Sequence, residues 1–110
     1  MQAIPLGKII NAAANTTTYL VLPFWVLPLL PPSGLVTAMT FCAAQADAGV
    51  VKIACKAPDG SNSEVIIAEL SRSSLYPFES PESDTGLDAT RFGIKPVNAN
   101  EGAYVTLWVD

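Results

Sequence analysis

The sequence contains no histidine among its 110 residues. That removes Ser-His and Cys-His nucleophile pairs and the commonest zinc and general-base ligand. Cysteine is scarce, with two in the chain, which is too few for a disulfide scaffold. Charge is also sparse: charged residues make up 15% of the chain, against roughly 25% in ordinary globular domains. The basic residues Lys8, Lys52, Lys56, Arg72, Arg91 and Lys95 are scattered through a chain of net charge −4. No basic stripe exists to displace counterions from phosphates, so nucleic acid is not an expected partner.

Long uninterrupted apolar runs are also missing. The most apolar stretch, Tyr19 to Pro32, carries four prolines in fourteen residues. Proline deletes a backbone donor and clashes with the preceding helical turn. A spanning helix also needs ~20 apolar residues, so no membrane span is expected. Ala43 to Ala48 loosely resembles a small-residue cleavage site. The one upstream positive charge, Lys8, lies too far away for a leader, so no cleaved signal is expected.

What is present is apolar: hydrophobic residues are half of the chain. A single small domain has a limited core to hide them in, and neighbouring subunits are the simplest cover. The charge is unevenly placed. Residues 1–46 hold one charged residue, Lys8, and residues 47–110 hold the other fifteen.

Residues 1–15 show no clean period, because Pro5 and Gly7 break it, and read as an extended N-terminal arm. Residues 16–110 read as one β domain. Strands are predicted over Thr16–Leu22, ending at Pro23, over Leu35–Ala43 and Val50–Lys56, and over Glu64–Leu70. Two more are predicted over Ala89–Val97 and Ala103–Asp110. Phe24–Leu27 is a short apolar piece between prolines. The Ala44–Gly49 loop suggests a hairpin that sets Cys42 opposite Cys55, and the Pro58–Ser63 turn suggests a second. Both cysteines are expected as reduced thiols. Residues 71–88 read as a long surface loop. In the last strand Ala103, Val105, Leu107 and Val109 alternate with Tyr104, Thr106 and Trp108. Six or seven short strands with Gly/Pro turns predict an all-β fold, a small antiparallel β-sandwich, jelly-roll-like, with an extended N-terminal arm.

Candidate chemistry is thin. Glu79, Glu82, Asp84 and Asp88 cluster in the 71–88 loop, but lack the spacing of a calcium loop. A solvated acidic loop is expected, with no metal and no cofactor. Ten acids allow pairing on paper, yet glycosidase chemistry needs two acids across a cleft, and a small sandwich has little room for one. No catalytic residues are assigned. Asn15-Thr16-Thr17 matches a glycosylation sequon, which matters only in a secreted protein.

The interface candidates lie in the uncharged half: Ile4, Leu6, Ile9 and Ile10 in the arm, then Tyr19, Leu20, Leu22, Phe24, Trp25, Leu27, Leu29 and Leu30. Tyr104 and Trp108 are the aromatic face of the last strand, available for packing, for an interface or for stacking on sugars, with packing preferred.

With Met1–Asn15 as the arm, and Gly34–Leu70 with Ala89–Asp110 as the sandwich, the chain resembles small accessory virion proteins of tailed bacteriophages, of the capsid decoration or cement type. The likeness is architectural, covers the whole chain and carries no diagnostic motif. It implies a non-enzymatic structural protein, located in the virion, that forms homotrimers seated where capsid subunits meet. Its partners would be itself and the major capsid or another virion protein. Deleting residues 1–15 is then expected to stop binding while leaving the domain folded. The competing expectation is a carbohydrate- or receptor-binding module of adhesin, tail-fibre or pilin-like kind at an extracellular surface.

Overall fold

The computed structural model describes residues 2–43, 49–57, 61, 63–71, 75–79 and 86–109. They form eight strands: β1 (Gln2–Asn11), β2 (Thr18–Tyr19), β3 (Ala38–Ala43), β4 (Val51–Lys56), β5 (Glu64–Leu70), β6 (Leu75–Glu79), β7 (Phe92–Pro96) and β8 (Glu101–Val109). They pair antiparallel into two four-stranded sheets, ordered β1-β8-β3-β6 and β2-β7-β4-β5. Among the described strands only β4 and β5 are consecutive within one sheet, and every other step along the chain passes from one sheet to the other. That winding is a jelly roll, two sheets stacked around one core.

The core follows from alternation. On β8, Ala103, Val105, Leu107 and Val109 are buried as the sequence pattern predicts, while Tyr104 is half exposed. Met39 and Phe41 of β3 face Ile53 of β4 and Ile94 of β7, all fully buried between the sheets. Phe41 and Phe92 meet with ring centroids 6.4 Å apart, inside the range of favourable aromatic pairs.

Four expectations change. The proposed hairpin of β3 with β4 does not form. β3 pairs with β6 and β8 in one sheet, and β4 with β5 and β7 in the other. Each strand has its own fully buried apolar face, so the two stack across the core rather than pair edge to edge. Cys42 therefore lies opposite Tyr104 and Leu75, whereas Cys55 lies opposite Val65 and Phe92. Both are free thiols, and burial pushes the Cys55 thiol up from its ordinary pKa, with Arg91 pulling weakly the other way. The β4–β5 hairpin does form, with a bulge between Ile53 and Ala54.

Second, the segment read as a 71–88 loop contains β6. Pro77 is tolerated because β6 is an edge strand. Third, the N-terminal arm is extended, but it is strand β1, paired along its length with β8. Ile4 is part of the core. Gly7 at φ +80° adjoins the register shift between Pro5 and Gly7, which is why this edge strand has no clean period. Fourth, the paired part of the predicted Thr16–Leu22 strand is Thr18–Tyr19 alone, β3 starts at Ala38, and a short 3-10 turn at Ala89–Arg91 precedes β7.

The β1–β8 seam is tight at one point. A Cβ on Gly102 would lie 1.7 Å from the Ile9 carbonyl oxygen. No side chain fits there without separating the strands. Gly102→Ala should therefore cost about 3 kcal/mol, at the upper end for overpacking, read as a drop in the urea midpoint at unchanged m-value.

Candidate docking surface

The surface of interest begins where β2 stops. The Leu20 N–H still donates to the Phe92 carbonyl at 2.9 Å, and its side chain enters the core. Pro23 then prevents further pairing, and the backbone satisfies itself locally. Val26 N–H donates to Pro23 O at 3.0 Å, Leu29 N–H to Val26 O at 2.9 Å, and Leu30 N–H to Leu27 O at 3.2 Å. A 3-10 helix spans Leu27–Leu29. Gly34, at φ +74°, closes a further turn onto the Pro31 carbonyl.

One side chain of this ridge, Val26, is fully buried and pins it to the sandwich. Burying a valine contributes about 1.5–3 kcal/mol. Leu22 packs partly buried beside it, and five other apolar side chains point away. Val21 and Phe24 are 84% and 85% exposed, and Trp25, Leu27 and Leu29 are 46%, 56% and 43% exposed. Among the described residues, five of the ten exposed large hydrophobics therefore fall within positions 21–29. No charge interrupts them. Scattered surface apolar residues are ordinary, but a contiguous apolar ridge marks a contact surface.

The sequence-predicted interface residues divide accordingly. Phe24, Trp25, Leu27 and Leu29 are exposed along the ridge segment. Ile4 and Leu20 belong to the core, and Leu6, Ile9, Leu22 and Leu30 pack partly buried against it. Ile10 is exposed on β1, and Tyr19 is half-buried on β2 beneath the Lys56 ammonium, 4.8 Å from its ring centre. Val21 was missed. Since Leu20 is an inward position, simple alternation would have pointed Val21 outward.

Several charged side chains elsewhere on the sandwich are engaged within the chain. Arg91 donates to the carbonyls of Lys56 and Ala57, at 3.3 and 2.8 Å. Glu64 accepts a hydrogen bond from Thr17 Oγ1 and pairs with Lys95 Nζ at 2.8 Å. Those two donors, Lys95 first, hold the Glu64 carboxyl below its ordinary value of 4.5. Burial, with the Glu64 charge second, pushes the Tyr19 phenol up. Asp88 caps its own turn, accepting from Thr90 N–H at 3.0 Å, and Glu101 accepts from Gly49 N–H at 3.1 Å. Among the described residues no cluster of three His, Cys, Asp or Glu could hold a metal. Glu82 and Asp84 of the predicted acidic cluster lie outside those residues.

No family model, curated protein or solved structure matches this chain. Any functional reading therefore rests on its own surface.

A depressed carboxylate pKa stabilises the fold above the unfolded value, and the contribution is lost as pH falls through the folded value. Glu64→Gln should therefore cost about 0.5–1 kcal/mol near neutral pH, the range of a solvent-screened pair. The difference from the parent should vanish by about pH 2, where both forms are uncharged. Urea titrations of both proteins across pH check this.

Proposed function

We propose that this chain is a non-enzymatic structural subunit of a virion shell, of the capsid decoration or cement kind, attached through the apolar ridge at 21–29. The observation that carries the reading is the ridge itself. Five large apolar side chains stand exposed on an uncharged, proline-braced segment that Val26 anchors to the core. Local hydrogen bonds prearrange its backbone, so little ordering entropy opposes docking. Each side chain buried against a partner contributes about 1.5–3 kcal/mol before the costs of association.

Jelly rolls serve capsids and lectins alike, so the fold by itself does not choose between them. The carbohydrate reading has weaker support. Trp108 is half-buried, and its indole N–H already donates to Thr40 Oγ1 at 3.3 Å. Of that aromatic pair Tyr104 alone is half exposed, and a sugar platform needs a flat aromatic surface with free polar groups beside it.

The test is reconstitution. Virion shells assembled without this chain are mixed with the purified protein and sedimented. Saturable binding, at a copy number fixed by the shell's symmetry, is expected. A protein that stays in the supernatant at every concentration rules the proposal out.

A further inference from the structure

The two outer faces of the sandwich differ in charge. The β2-β7-β4-β5 face displays Lys52, Lys56, Lys95, Glu64 and Glu69, with Lys52 directly opposite both Lys95 and Glu69. On the β1-β8-β3-β6 sheet, inward-facing Ile4, Met39, Phe41, Val105 and Leu107 fix which residues point out. The central outward rows are Trp108 beside Ala38, Thr106 beside Thr40, and Tyr104 beside Cys42. The charged positions on these rows are Lys8, opposite Tyr104, and Glu79, in register with Ala38 at the β6 edge.

We propose that this face is a second contact surface, and that its occupant is the same face of a second copy of this chain. A flat sheet face packs best on another, about 10 Å away. This sheet has two charged positions on its outward rows, at opposite edges, against five on the other, so a two-fold axis brings the less charged face onto itself. The alternative face would have to bury three lysines and two glutamates.

The size is suitable. Strands of 10, 9, 6 and 5 residues at ~3.3 Å per residue, ~4.8 Å apart, give a projected face of about 480 Å². A standard interface takes about 800 Å² of accessible surface from each partner, and a face studded with side chains exceeds its own projection. Tyrosine, tryptophan and few charges are the composition of such interface centres. The ridge lies in the β2–β3 connection at an end of the sandwich, so it stays free in the pair. This surface is separate from the ridge, and neither proposal depends on the other. The expected unit is a two-fold pair, in place of the homotrimer that the resemblance implied.

The test is the mass of the full-length chain by sedimentation equilibrium. The parent protein should weigh twice its 11.6 kDa. Tyr104→Lys places a second ammonium in the buried row and should weaken pairing about 100-fold, with its circular dichroism unchanged. Ile66→Lys, on the opposite sheet, should leave pairing intact. A second readout needs no variant: alkylation of Cys42 should slow about tenfold as protein concentration rises through the dimer range, while the Cys55 rate stays constant, because only Cys42 lies on the covered face. The proposal is overturned by a monomer at about 0.1 mM, well above the dissociation constant of a standard-size interface. It is equally overturned by a Tyr104→Lys protein that still pairs, by Cys42 reacting equally fast at all concentrations, or by a monomer that binds a glycan array through this face.

Discussion

Replacing Phe24 and Trp25 together by serine should weaken attachment to the shell by about 100-fold or more, since buried aromatic anchors at interface centres each contribute 2 kcal/mol or more. The domain should stay folded. Phe24 is 85% exposed and Trp25 46% exposed, so only the tryptophan gives up some packing. Thermal unfolding of the variant should fall by a few degrees at most, the loss coming from the covered part of Trp25. Val26→Ser is the informative contrast. It removes the fully buried pin of the ridge, so stability and attachment should fall together. Co-sedimentation with shells, run beside thermal melts, separates the two outcomes.

Removing residues 2–11 should unfold the protein. The strand they form pairs with β8 from Gln2↔Val109 to Asn11↔Glu101. Without it β8 becomes an open edge, Ile4 leaves the core, and the side-chain bonds of Asn11 to Ala13 and Thr16 are lost. A loss of about 5 kcal/mol or more is comparable to the whole stability of a domain this small. The milder Ile4→Ala should cost about 2–5 kcal/mol, as for other buried large-to-small changes. Far-ultraviolet circular dichroism of the truncated chain should lack its β signal, and urea titration should place Ile4→Ala between it and the parent. A truncated chain that folds and melts normally would mean that β1 contributes little to the domain.

These two outcomes reverse the expectation drawn from the sequence, in which the arm held the shell and the domain stood without it. The cause is visible in the residues. Pro5 and Gly7 interrupt the alternation of β1, and a bulge follows. An edge strand with a bulge does not show the period-2 pattern by which strands are read. β6 was hidden similarly: Pro77, flanking serines and acids give Leu75–Glu79 the composition of a loop, although an edge strand accepts all of them. The β8 alternation and the β4–β5 hairpin were legible because both depend on residues close in sequence. The β3–β4 pairing was misread because a short connection fits a hairpin and a crossing between sheets equally well. Which one forms depends on the other strands competing for each edge.

The ridge was half legible. The scarcity of charge through residue 46 marked the region, and the prolines marked it as neither helix nor long strand. Which side chains turn inward was not readable, since a segment passing from strand to turn to 3-10 helix changes period within ten residues. Leu20 thus turns into the core and Val21 out to solvent with no marker of either in the local composition.

The central claim is that position 24 touches another protein in the assembled particle. A photoactivatable phenylalanine analogue placed there, in shells carrying the full-length chain, tests this most directly. Irradiation should cross-link position 24 to a shell protein, and the same group at position 66, on the β2-β7-β4-β5 sheet, should give none. Cross-links from position 66 with none from position 24 would contradict the account.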